Sequence, residues 1–471
     1  MLVKMRLRAA LLHVKQRAVK VLERHLSGES MDFRQVFAII VPLLMDQAFI
    51  ILLALLNTAM ISASGEAAVA AVGMVDSLNI FIFNVFIALA TGGTVIVAQY
   101  RGAGNSTAFS KAAAQTIAAV SLISFIIGLT VSGFHSQILS FLFGKAEQAV
   151  IDNARLYLIG SSISYTLVGV IEAVGGALRG VGATKATLWL SLIKNGTYVL
   201  FNVIFLNVLK MGVWGLVYSL LASRLLGMVC SLIYMRMIHN TIVFRFKDVI
   251  RLDFSMLKRI LFIGIPFAAE QMFFNGGKLL TQTFIVLLGT NALTVNAICN
   301  SLSTLPQVGV LSCNLAAITV IGQCIGNRNY NDARKFVRSF LVLGSLSVVV
   351  LILILLPFLP SLIGLFSPSP TIIPSIKIII YITWAATPLL WPASFITPSA
   401  LRAAGDARFT LIAALTTMWL IRVVLGYVLG IILPFGITGV WIAMIIEWGV
   451  RSLIFHIRFR GGKWRNHNLL G

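Results

Sequence analysis

Residues 41–49 read VPLLMDQAF and residues 97–105 read VAQYRGAGN; far downstream, 265–273 read IPFAAEQMF and 321–329 read IGQCIGNRN. The same 224 residues separate Pro42 from Pro266, Asp46 from Glu270, Gln47 from Gln271, Gln99 from Gln323, Gly102 from Gly326 and Lys111 from Lys335. Gly65 and Gly289, and Ser77 and Ser301, keep that spacing. Apolar sequences resemble one another by chance, but not in one register without a gap from Val41 to Lys111. The unit is duplicated. The duplication continues with ALRGVGATKAT from Ala177 against ALRAAGDARFT from Ala400, and GVWGLVYSLLASR from Gly212 against GVWIAMIIEWGVR from Gly439. The chain therefore divides into homologous halves, 36–236 and 258–458. A charged linker, 237–257, joins them, and basic segments 1–35 and 459–471 flank them.

Of 471 residues, 58% are hydrophobic and only 11% charged, against about 25% charged in soluble domains. Apolar runs near 20 residues recur along the chain, long enough to cross about 30 Å of hydrocarbon. These features predict an all-α polytopic membrane protein with twelve transmembrane helices. An even number of spans per half returns the chain to its starting side. The two six-helix lobes are then parallel repeats, pseudo-symmetric about the membrane normal. The prolines of the first and seventh spans, Pro42 and Pro266, are expected in first turns, where a missing N–H costs little. Pro388, Pro392 and Pro398 are expected to kink or unwind the tenth span.

A net charge of +22 would suggest nucleic acid in a soluble chain, but its distribution argues otherwise. Lysines and arginines cluster in every second connection, whereas the alternate connections hold only Lys145, Arg155, Lys210 and Lys377. That pattern puts both termini in the cytoplasm of a cell whose inner or plasma membrane the chain spans, and makes nucleic acid an unnecessary partner. Residues 1–30 read as a basic amphipathic helix on anionic lipid rather than a cleaved signal. Four cysteines without CxxC spacing imply neither a disulfide frame nor a zinc site. No HExxH pair and no GxxxxGK[ST] occur, so no metal and no cofactor is expected.

With the repeat in view, VAQYRGAGN, ALRGVGATK, EQMFFNGGKLL, GQCIGNRNYNDARK, ALRAAGDARFT and WIAMIIEWGVRSLIFHIRFRGGKW make residues 36–465 resemble the multidrug and toxic compound extrusion (MATE) family. The resemblance implies a two-lobed exporter that exchanges Na⁺ or H⁺ for organic, often cationic, amphipathic compounds by alternating access. It also implies an aspartate in the first helix, where this chain reads LNTAM and Asn57 replaces the carboxylate. Asparagine can ligate Na⁺ but cannot titrate, which puts proton coupling through that position in doubt.

A carboxylate in hydrocarbon costs about 2.5–3.5 kcal/mol on insertion scales, so intramembrane ionisable residues are candidates for function. Asp46 and Asn57 lie about 20° apart on one helical face, roughly 16 Å along it. Asp76, with Asn79 one turn on, either completes a cation site with Asn57 or is a water-exposed cap. Glu172 shares a face with Tyr165 and Ser161, or pairs with Arg179. Glu270 and Lys278, about 80° apart on one helix, either pair or find partners on neighbouring helices. Glu447 and Arg451, at i and i+4, read as a structural pair, and Lys194, Arg224 and Arg422 as snorkelling cations. The candidate coupling and substrate residues are therefore Asp46, Asn57, Asp76, Glu172, Glu270 and Lys278, expected around one central cavity, with Glu270 the foremost candidate for coupling. The reading is of a monomeric secondary active exporter, not an enzyme, with membrane lipid and small molecules as partners. A flippase for a lipid-linked sugar is the alternative, and would call for a strongly basic cavity. An intramembrane enzyme would need a nucleophile–base or metal constellation, which the sequence lacks.

Overall fold

In the computed structural model, residues 26–61, 66–143, 147–467 and 469–470, with Glu23, are described; the side chains of 54–67 are outside the description. Most of the expected N-terminal amphipathic helix, the side chain of Asn57 and all of Lys145 thus lie outside the described residues. The first half contains α1 (Phe33–Ile61), α2 (Glu66–Gly102), α3 (Ser106–Gly133), a short α4 (His135–Phe143), α5 (Gln148–Ile163), α6 (Tyr165–Gly180), α7 (Thr184–Asn202) and α8 (Gly212–Ile233). After the short α9 (Phe246–Ile250), the second half contains α10 (Phe254–Leu287), α11 (Thr290–Thr304), α12 (Val308–Gly326), α13 (Tyr330–Leu355), a short α14 (Leu359–Gly364), α15 (Ile373–Ala403), α16 (Ala407–Thr416) and α17 (Gly436–Arg460).

Among the described residues, ten helical segments are long and apolar enough to cross a membrane, and α5–α6, bent by 43°, make an eleventh if the pair is one span. The counterpart of α1 in the second half, α10, has 34 residues, long enough to cross, but is less apolar and carries Glu270 and Lys278.

The helix starts repeat with the sequence. Asn105 and Asn329, 224 residues apart, each accept a hydrogen bond from the backbone N–H three residues on, both at 3.0 Å. Such caps satisfy N–H groups that the helix leaves unpaired. The residue before each cap has a left-handed backbone: Gly104 at φ 72° and Arg328 at φ 58°. Helix α1 begins earlier than the proline pattern predicts, because Asp32 and Gln35 form a reciprocal capping box (2.8 and 3.1 Å). Pro42 and Pro266 therefore lie inside α1 and α10 rather than in their first turns. α15 runs unbroken through Pro388, Pro392 and Pro398. The last turns after α7 widen to π-helix at Val203–Val208, and those after α16 do so at Val428–Ile432, the equivalent place.

The halves interlock rather than sit side by side. Residues Val36–Leu43 of α1 join the core formed by α12, α13 and α15, while Met256, Ile260 and Ile263 of α10 join the core of the first half. Where α2 crosses α10, a Cβ on Gly92 would lie 2.5 Å from the Ile260 carbonyl oxygen. The basic turns, the linker and the C-terminal residues gather at one end of the bundle. Arg259 there donates to the Tyr100 hydroxyl and the Leu470 carbonyl, both at 2.7 Å.

The linker is tied to α3. Gln115 donates to the carbonyls of Asp248 and Arg251 and accepts from Asp253 N–H, and Lys111 pairs with Asp253 at 2.6 Å. The Lys111 ammonium, followed by the N–H of Met256, holds the Asp253 carboxyl below its usual range. A depressed carboxylate pKa supplies stability above the unfolded value and loses it as pH falls through the folded one. Hydrogen-exchange protection of residues 246–256, taken relative to the intrinsic exchange rate at each pH, should therefore be unchanged between pH 7 and 5, and fall only as pH drops through and below the ordinary carboxylate range.

Candidate functional site

At the basic end the lobes meet through two mirrored contacts. A Cβ on Gly102 would lie 1.9 Å from the Gln323 carbonyl oxygen, and one on Gly326 would lie 1.9 Å from the Gln99 carbonyl oxygen. Only glycine permits this approach of α2 and α12. The same glutamines reach across: Gln99 Nε2 donates to the Ala403 carbonyl at 2.7 Å and Gln323 Nε2 to the Gly180 carbonyl at 2.9 Å. Those carbonyls sit at the C-terminal ends of α15 and α6, where a helix leaves acceptors unpaired. The ALRG and ALRA stretches are thus landing sites for the opposite lobe's glutamine. Thr319 adds a hydrogen bond to the Arg179 carbonyl at 2.9 Å.

Toward the other end lies a cavity of about 870 Å³. Its lining begins at Ser77 of α2, 25 residues before Gly102, or about 38 Å along the helix. One side comes from α2 and α4, including Phe81 and Phe143; the other comes from α10, α11, the π-helical Thr417–Leu425 that continues α16, and α17. Lys278 and Arg422 both line it. Arg422, read from the sequence as a snorkelling cation, instead faces inward from the π-helical segment.

The first lobe holds a separate polar network. Asp76 Oδ1 accepts from Tyr157 OH at 3.1 Å and from Asn79 Nδ2 at 3.2 Å, and Asn79 Oδ1 accepts from Tyr165 OH at 2.8 Å. Because α2 begins at Glu66, Asp76 lies in its third turn and is not a cap. Arg224 is also turned inward: its guanidinium stacks over Phe83 at 4.8 Å and donates to Ser164 at the α5–α6 bend. The anticipated snorkelling arginine is thus part of this network.

The remaining carboxylates are matched with arginines. Glu270, 9% exposed, receives Arg402 Nη1 on both oxygens at 3.1 Å and Thr410 Oγ1 at 3.2 Å. Its equivalent, Asp46, lies near Arg179, the counterpart of Arg402, and beside Ser191, Lys194 and Glu172. There the arginine has turned to Glu172, at 3.9 Å. The same carboxylate–arginine pairing is therefore closed in one lobe and loosened in the other. Glu447 and Arg451 form the anticipated i, i+4 pair at 2.7 Å.

The five candidates whose side chains are described occupy three places rather than one cavity, and the side chain of Asn57 lies outside the described residues. Lys278 lines the cavity, Asp76 anchors the first-lobe network, and Glu270, Asp46 and Glu172 stand in carboxylate–arginine clusters. Glu270 and Lys278 do not pair, because Arg402, 132 residues away in sequence, offers Glu270 a planar donor at contact distance. Removing one partner of a buried pair costs about 3–5 kcal/mol. Glu270→Gln keeps a hydrogen-bond acceptor, so its expected cost is somewhat smaller, about 2–3 kcal/mol, read as a lower unfolding midpoint in detergent. An unchanged midpoint would show that Arg402 finds compensation elsewhere.

The MatE family model matches this chain twice, over residues 42–204 and 266–428, again 224 residues apart. The "Uncharacterized transporter YisQ" of Bacillus subtilis is 28% identical over 91% of this chain and 94% of its own. A "Probable multidrug resistance protein NorM" of Thermotoga maritima is 25% identical over 93% and 94%. Among solved structures, an outward-facing conformation of a multidrug resistance MATE family transporter superposes with a TM-score of 0.83 at 18% identity, covering 91% of this chain and 96% of that one. A MOP superfamily transporter from Pyrococcus furiosus, described as having reversed binding-pocket polarity, superposes with a TM-score of 0.84 at 19% identity, over 95% and 99%.

Proposed function

Because the chain belongs to the MatE family of transporters, we propose that it is a secondary active exporter of amphipathic organic compounds, driven by inward movement of H⁺ or Na⁺ through alternating access. On this reading the basic end faces the cytoplasm, as the charge distribution requires, and both termini lie there in the cell membrane. The supporting observation is the asymmetry of the lobe interface. The basic end is shut by the mirrored Gly102–Gln323 and Gly326–Gln99 contacts, while the large cavity lies toward the far end. Such an arrangement is one limb of an alternating cycle.

Coupling is assigned to Asp76. Glu270, Glu447 and Glu172 each face an arginine within 4 Å, so protonating them would strand a cation. Asp76 accepts hydrogen bonds from the neutral donors Tyr157 and Asn79; Arg224 acts on it through space but is not among its contacts within 4.0 Å, so Asp76 can exchange a proton or Na⁺ without breaking a contact ion pair. One charge moving through 100 mV supplies about 2.3 kcal/mol, enough for more than a tenfold gradient of a neutral substrate at about 1.4 kcal/mol per decade. Purified protein in liposomes should move a fluorescent amphiphile uphill under an imposed H⁺ or Na⁺ gradient and not without one. Equal flux with and without gradients would identify a passive pathway instead. A lipid-linked-sugar flippase is the second reading, favoured by Lys278 and Arg422 in the cavity wall.

A further inference from the structure

The cavity wall is charged in one sense only. Lys278 and Arg422 line it, and among the described residues no aspartate or glutamate does. Behind them the balance stays positive. Three cations surround the Phe274 ring: Lys278 Nζ at 4.8 Å, Arg451 at 5.2 Å and Arg422 at 5.9 Å from its centroid. One carboxylate, Glu447, accompanies them and is bound to Arg451 at 2.7 Å. Among the described residues, Lys278 and Arg422 have no carboxylate within 4.0 Å.

Two unmatched cations at membrane depth are costly, and their mutual repulsion adds to the cost. An anion between them would offset both. The polar lining also supplies donors. Gln282 Oε1 accepts from Asn296 Nδ2 at 2.9 Å, which leaves the Gln282 amide hydrogens for a ligand. Around this polar patch the wall is apolar, with Phe81, Phe143 and Trp441.

We propose that this cavity binds amphipathic anions, with a sulfonate, phosphate or carboxylate head between Lys278 and Arg422 and an apolar body against the aromatic wall. The proposal rests on the exporter reading for its place in a transport cycle, and replaces the cationic substrate that the sequence resemblance implies. A phosphate head could come from a lipid or from a free organic anion, and both present the same chemistry.

The test is equilibrium binding to the full chain in a neutral maltoside detergent, with no gradient. Naphthalene sulfonate and naphthyltrimethylammonium share an apolar body and differ in charge. The sulfonate is expected to bind at least tenfold more tightly. Lys278→Gln and Arg422→Gln should each weaken it about tenfold, and Lys278→Arg should largely retain it, which keeps the test valid if a glutamine variant folds poorly. Farnesyl phosphate binding above the sulfonate would identify a lipid phosphate as the source, and the reverse order a free anion; either supports the anion site. Tighter binding of the ammonium, or sulfonate affinity unchanged in both glutamine variants, would overturn it. Anion-selective binding without gradient-driven flux would sink the exporter reading alone, whereas gradient-driven flux with cation-selective binding would sink this inference alone.

Discussion

Gly326→Ala is expected to reduce transport to background while leaving the protein folded. A Cβ at this position would lie 1.9 Å from the Gln99 carbonyl oxygen, 2.7 Å from its carbon and 2.9 Å from its Cα. All three are backbone atoms, so no side chain can swing aside. Overpacking of this kind costs about 1–3 kcal/mol. The cost falls only on the state in which the basic end is shut, so the equilibrium shifts toward the opposite-facing state by roughly 5- to 150-fold. Gly102→Ala should behave alike, because its Cβ meets Gln323 in the mirrored way. Gly276 provides the control: nothing lies within 4 Å of a Cβ there, and alanine inside a helix stabilises by about 0.5–1 kcal/mol. Transport by Gly276→Ala at wild-type rate, beside loss in Gly326→Ala and Gly102→Ala, would establish the latch. Wild-type transport in all three would remove it.

Asp76→Asn is expected to abolish gradient-driven flux, by at least 100-fold, at unchanged expression and unfolding midpoint. The amide oxygen still accepts from Tyr157 and Asn79, whose hydrogen bonds to Asp76 Oδ1 are 3.1 and 3.2 Å. Each neutral hydrogen bond contributes only about 1 kcal/mol net, so the fold tolerates the exchange. What is lost is the charge that changes on ion binding. Energetically downhill exchange of substrate should survive, since it needs alternation but no net ion movement. Retained uphill flux in Asp76→Asn would transfer coupling to Asp46, whose arginine has turned away to Glu172.

Much of this architecture is legible in the sequence, because the repeat fixes equivalences before any coordinates exist. The spacing that pairs Gln99 with Gln323 and Gly102 with Gly326 places them at matching points. It does not reveal that each pair meets the other across the lobes, since which helices touch depends on the interlocking of α1 and α10. The early start of α1 was available in the Asp32–Gln35 capping box, a signal that Pro42 obscured. Helical geometry rightly separates Glu270 and Lys278 around α10, but Glu270's partners Arg402 and Thr410 come from α15 and α16, and Lys278 shares the cavity wall with Arg422 of the π-helical turns that follow. Arg422 and Arg224 near span ends read as snorkelling because hydropathy records depth and not direction. Arg422 turns inward from the π-helical Thr417–Leu425 and Arg224 turns toward Ser164 at the α5–α6 bend, which makes the cavity basic and completes the Asp76 network. Neither has a periodic signature.

Alternation of the basic end is the central claim, and its most direct measurement is the distance between spin labels at Ala103 and Asn327. These residues are exposed on the two mirrored turns just beyond Gly102 and Gly326. In lipid nanodiscs the pair should give a short distance population corresponding to the shut end and a second, longer one. Changing pH or Na⁺ should redistribute the two, and Gly326→Ala should favour the longer. A single short distance under every ionic condition, in a protein that still transports, would contradict the account.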